Sequence, residues 1–158
     1  MNWFKKIFSP TKQDDKWSGT PYAECEEGYA SIELVERLEN AQKAQRTLVK
    51  KLFGGQLSGG PGFSQKSAWI VNYDNGIAVE CEYKTLWELF NKLYLAIDGE
   101  EKEIDIEPLE QQLRRIDDRR YDVHPIKVHL PDGCYLVEQW FDITKYFNNP
   151  NKGIMVYR

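Results

Sequence analysis

A chain of 158 residues with 41% hydrophobic side chains, 29% charged ones and five Trp, nine Tyr and seven Phe has the size and composition of one globular domain. A domain of this length buries roughly 70% of the surface its unfolded chain exposes, so it needs neither a disulfide nor a structural metal, and none is expected. The formal net charge of −4 argues against a general nucleic-acid or anionic-membrane binder, since both need a cationic footprint.

The first eight residues, Met1 to Phe8, place Lys5 and Lys6 beside Trp3, Phe4, Ile7 and Phe8. Their uninterrupted apolar stretch is Ile7-Phe8, far short of the about 7 to 15 residues of a secretory core or the about 20 of a membrane span. As a helix the octapeptide would be amphipathic, and a membrane-peripheral adaptor anchored through residues 1–8 is a lesser reading. Ser9 to Tyr22 is polar and turn-rich, so residues 1–21 read as an arm and linker, and 22–158 as a single α+β domain.

The first element is a helix from Ser31 to Gly54. Ser31 suits the N-cap, Glu33 and Glu36 the first turn, Lys50 and Lys51 the last, and Gly54 the C-terminal close. Leu34, Leu38, Ala41, Leu48 and Leu52 step by three and four along one face, interrupted by Gln45. The same stripe would serve a coiled-coil seam with Gln45 as its polar register device, so a homo- or heterodimer helix is the alternative to core packing. The glycine-rich run from Gly54 to Gly62 leaves a helix and lacks a Gly-Lys-Ser/Thr ending, which makes it a connector rather than a phosphate loop.

Two hairpins are expected. The first pairs Ser67–Tyr73 with Ile77–Tyr83 across Asp74-Asn75-Gly76, with Ile77, Val79, Cys81 and Tyr83 on its apolar face and Glu80 and Glu82 on the other. Thr85 and Glu88 then read as a capping box opening a second helix that runs to Gly99, and Pro108 starts a third through Leu109, Leu113 and Ile116. The second hairpin pairs Pro125–Leu130 with Cys134–Phe141 across Pro131-Asp132-Gly133, and Gly153–Tyr157 supplies a closing strand. The expected fold is therefore α+β: an antiparallel sheet of about five strands, two hairpins plus a C-terminal strand, packed with three helices.

Cys25, Cys81 and Cys134 are odd in number and widely spaced, which fits free thiols in the cytoplasm. His124 and His129 are five apart and so fall on opposite faces of a strand, which gives no metal pair. Cys134 approaches His129 across the second hairpin, the one thiol–imidazole pair a cysteine/histidine hydrolase would have, though no nucleophile elbow flanks it. A metal-dependent nuclease would have to gather Asp105, Asp117, Asp118 and Glu138, whereas Arg114, Arg115, Arg119 and Arg120 are interleaved with acids and read as an ion network.

The densest charge lies between Asp98 and Glu107, six acids against Lys102. With Glu80 and Glu82 it suggests a non-enzymatic protein-binding module, an inhibitor, immunity-type protein or adaptor, that docks a basic protein partner through Glu80, Glu82, Glu100, Glu101, Glu103 and Asp105. Trp69, Trp87 and Trp140 would anchor such a contact where exposed. No cofactor follows from these residues.

Overall fold

The computed structural model describes Cys25 and residues 27–148. The N-terminal arm, the octapeptide and the expected strand over 153–157 lie outside the described residues. Ser31 caps helix α1 (Ile32–Ala41) as expected, its hydroxyl accepting from the Leu34 amide at 3.1 Å. The single long helix is broken at Gln42. A second helix, α2 (Lys43–Phe53), follows and ends on Gly54, whose φ of 53° is left-handed. At the break the Gln42 side chain is buried and its Nε2 donates to the Leu89 carbonyl at 2.8 Å. The break re-aims the apolar stripe: Leu34, Leu38 and Val49 are buried, while Leu48 and Leu52 are more than half exposed.

Strands β1 (Leu57–Gly59) and β2 (Trp69–Val71) pair antiparallel, and helix α3 (Ile77–Phe90) follows. The expected second strand at 77–83 is thus the first half of a helix, entered through Asn75, whose Oδ1 accepts from the Ile77 amide at 2.9 Å. Its buried positions, Ala78, Cys81, Glu82, Thr85, Leu86, Leu89 and Phe90, follow a helical period. Thr85 opens nothing. It lies within α3 and bonds back to the Cys81 carbonyl at 2.7 Å. The helix stops at Asn91, before Lys92 with φ 65°, so the expected run to Gly99 is replaced by a hairpin. Strand β3 (Tyr94–Ile97) turns through Asp98 (φ 53°) and Gly99 (φ 82°) into β4 (Glu100–Glu103), the two left-handed residues that a two-residue type I′ turn requires.

The helix expected after Pro108 is absent as well: β5 (Asp105–Pro108) and β6 (Gln112–Ile116) both pair with β7 (Arg119–Leu130). Leu113 is 55% exposed because alternate residues of β6 face outward, and Asp117, with φ 55°, turns the chain into β7. The β7–β8 hairpin (β8, Gly133–Asp142) forms in the expected register, with His129 opposite Cys134, and a short helix α4 (Thr144–Phe147) follows.

The fold is α+β, with four helices among the described residues, a six-stranded sheet ordered β1-β2-β8-β7-β5 with β6 on β7, and the separate β3–β4 pair. The sheet is mixed rather than antiparallel, because β2 runs parallel to β8, Trp69 opposite Phe141 and Ile70 opposite Asp142. One core contains Val71, Ile126, Val128 and Phe141 from the sheet and Leu86, Leu89 and Phe90 from α3. Each such side chain contributes about 1.5–3 kcal/mol by leaving water. A smaller cluster of Ala68, Tyr121, Val123 and Trp140 forms separately. No helix among the described residues is long and apolar enough to cross a membrane.

Candidate functional site

Alternation along β7 separates Tyr121 and Val123 from Asp122, His124, Ile126 and Val128. Across the core, the buried stripe of α3 contains Glu82. The strand and the helix therefore bring three polar side chains into one place. His124 Nε2 lies 2.9 Å from Glu82 Oε1, Glu82 and Asp122 are hydrogen-bonded, and one donor atom from each of the three lies within 4.8 Å of the others. Tyr83 and Phe141 meet the imidazole edge-on, with ring centroids 5.8 and 5.5 Å away. The three residues are 2%, 8% and 4% exposed for Glu82, Asp122 and His124.

Burial governs the charge of this cluster. Loss of water pushes the Glu82 carboxyl up to about 8, against which the hydrogen bond from Asp122 acts only in part. Burial, and then the neighbouring Glu82, raise Asp122 well above the ordinary carboxyl range. Burial lowers His124 to about 4, so at neutral pH the imidazole is uncharged and its contact with Glu82 is a hydrogen bond rather than an ion pair. The arrangement can share a proton between two carboxyls. Two oxygen donors and a neutral imidazole nitrogen are also a donor set for a divalent metal.

The residues assigned to a docking face do not stay together. Glu80 is exposed on α3, but Glu82 points inward, since a helix in place of the strand puts neighbours two apart on different sides. Glu100, Glu101 and Glu103 are exposed along β4, and Asp105 is exposed where β5 begins. Of the tryptophans, Trp69 is fully buried, its Nε1 donating to Gln139 Oε1 at 3.0 Å, Trp140 is buried, and Trp87 is partly so. Tyr94, 45% exposed and opposite Glu103, is the aromatic side chain that the acidic hairpin displays.

His129 and Cys134 are cross-strand neighbours, as their hairpin requires. The imidazole Nε2 lies 3.4 Å from Glu107 Oε1, while the Cys134 thiol contacts that of Cys25. Burial, and then that contact, push the Cys25 thiol up to about 12. The acids considered for a nuclease do not converge. Asp105 sits opposite His129, whereas Asp117 and Asp118 form the turn before Arg119, about 33 Å away along an extended strand. Glu138 is engaged by Arg114 at 3.3 Å and Trp140 Nε1 at 3.1 Å. The arginines are held likewise: Arg119 bonds Asp142 at 2.7 Å, Arg114 lies over Trp140 and Arg120 over Phe147.

Sequence reasoning missed the Glu82–Asp122–His124 cluster. The spacing of Asp122 and His124, two apart on a strand, was the available signal; the helical position of Glu82 was not. Compared with protein-family models, with curated proteins and with solved structures, the chain matches none.

Proposed function

We propose that the chain is a non-enzymatic protein-binding module, of the inhibitor, immunity or adaptor kind, that works in the cytoplasm and docks a basic protein on its acidic β3–β4 hairpin. One observation carries this reading. All four residues of β4 are exposed, Glu100, Glu101 and Glu103 among them, on a strand whose only strand neighbour among the described residues is β3. Such an edge offers backbone groups for a partner strand, its carboxylates steer a cationic surface toward it, and Tyr94 supplies an apolar contact. Glu80 and Asp105 extend the negative field, and Glu82 is withdrawn from it.

The full chain carrying Glu100→Lys, Glu101→Lys and Glu103→Lys tests the proposal. The unmodified chain should capture a basic partner at low salt and lose it at high salt, and the triple variant should capture none while remaining folded by circular dichroism. Capture that is unchanged by the charge reversal, or absent at both salt concentrations from the native host's extract, overturns the reading. A cysteine/histidine hydrolase has in its favour that Glu107, His129 and Cys134 lie side by side on β5, β7 and β8. Against it stands the Cys25 contact, which occupies the thiol that would attack.

A further inference from the structure

Three places invite a site: the acidic hairpin, the row Glu107–His129–Cys134 with Cys25 beside it, and the buried cluster under α3. The hairpin's exposed acids, Glu100, Glu101 and Glu103, come from one surface strand that also carries Lys102, with no imidazole or thiol among them. In the row, the imidazole and the thiol turn to different partners. The cluster alone brings unlike donors from two separate elements to one point inside the protein.

We propose that Glu82, Asp122 and His124 bind one divalent transition-metal ion, Zn²⁺ being the reference case, within the core. The donor atoms already lie within 4.8 Å of one another. Ligands about 2.0–2.2 Å from a tetrahedral ion are roughly 3.4 Å apart, so the 2.9 Å His124–Glu82 contact has to open by about 0.5 Å, a side-chain adjustment. Binding displaces the protons that burial keeps on the two carboxyls, and the resulting carboxylates balance the charge of a divalent ion, while the imidazole adds nitrogen ligation without adding charge. Oxygen with imidazole suits Zn²⁺ and Mn²⁺ and does not select copper(I), which prefers sulfur. The backbone spacing is favourable as well: residues 122 and 124 project together from one strand, and the helix opposite is fixed by Ala78, Cys81 and Leu86 in the core. The ion would tie α3 to β7. It plays no part in docking at the hairpin, so the two proposals stand or fall separately.

The test uses the full chain, stripped with chelator, dialysed against ZnCl₂ or MnCl₂, desalted and assayed for metal per chain by mass spectrometry. One equivalent should remain, and the melting temperature should rise with free metal. Glu82→Gln and His124→Gln should each weaken binding by more than about 100-fold, beyond what changes in outer-shell partners produce. His129→Asn and the Cys25→Ser/Cys134→Ser double variant should bind as the unmodified chain does. Cobalt(II) bound to the unmodified chain should show no thiolate charge-transfer band, a readout that survives if a variant fails to fold. Failure of the folded chain to retain either ion overturns the proposal. So does a thiolate band, or retention that depends on His129 or the cysteines.

Discussion

His124 Nε2 and Glu82 Oε1, 2.9 Å apart, join the middle of β7 to the middle of α3 inside the core. The contact joins residues 42 apart in sequence and is enclosed by Tyr83 and Phe141. Truncation of one partner leaves the others buried without hydrogen bonds, which costs about 2–4 kcal/mol. Glu82→Ala should destabilise by that amount in urea denaturation, and Glu82→Gln, which keeps the shape and one acceptor, by about 1 kcal/mol or less.

The same pair gives the metal-free chain a pH profile. Glu82 binds its proton more tightly folded, at about 8, than unfolded, at 4.5, so its contribution is complete below 4.5 and is lost as pH rises to 8. His124 binds its proton less tightly folded, at about 4, than unfolded, at 6.5, so stability falls as pH drops from 6.5 to 4. The two slopes oppose between 4.5 and 6.5. From 6.5 to 8 the imidazole no longer contributes, and stability should fall, by about 1–2 kcal/mol from Glu82 and further in the same direction from the raised Asp122. Chemical denaturation in chelator across this range should show that decline in the unmodified chain and a flatter line in Glu82→Gln.

Gly62 separates close packing from simple backbone preference. At φ 90°, a Cβ there would stand 2.5 Å from Trp69 Nε1 and 2.7 Å from Gln139 Oε1, the two atoms of a buried hydrogen bond. Gly54, at φ 53°, would meet nothing within 4 Å. Gly62→Ala should therefore cost about 2–4 kcal/mol, from strain together with the broken bond, and Gly54→Ala about 1 kcal/mol. Thermal melts of the two variants side by side check the ordering.

Thiol chemistry should be uneven. Cys25 and Cys81 are buried and burial pushes both thiols up to about 12, whereas Cys134 is half-buried. Ellman's reagent should label Cys134 first in the native chain and all three cysteines in denaturant, since the thiolate is the reacting form. Equal rates for the three in the folded protein would contradict this packing.

The parts legible from sequence were those with local chemistry. Ser31 and Gly54 marked the ends of the first helical region, and Pro131-Asp132-Gly133 the turn of the last hairpin, because caps and tight turns are decided by the residues that form them. The misreading of α3 comes from polar side chains on a buried face. Glu82 and Thr85 interrupt the apolar stripe of α3, so the shorter alternation from Ile77 to Tyr83 stood out and suggested a strand. The type I′ pair Asp98-Gly99 was passed over as a helix end, which hid the hairpin while its acids were plain. Leu109, Leu113 and Ile116 have helical spacing, yet β7 is long enough to take two partners along one edge, and that pairing overrides the local pattern. The buried cluster was invisible for the same reason as α3, since it exists only once Glu82 turns inward.

The parallel contact of β2 with β8 ties an early part of the chain to a late one. Trp69 and Val71 lie on a three-residue strand whose outer side is held by β1 and whose inner side waits for Phe141 and Asp142. Until β8 has been made, that inner edge has no strand to pair with and the Trp69 indole lacks its Gln139 acceptor. Closing the sheet at this seam is thus a non-local step, the kind of pairing that limits the rate of folding.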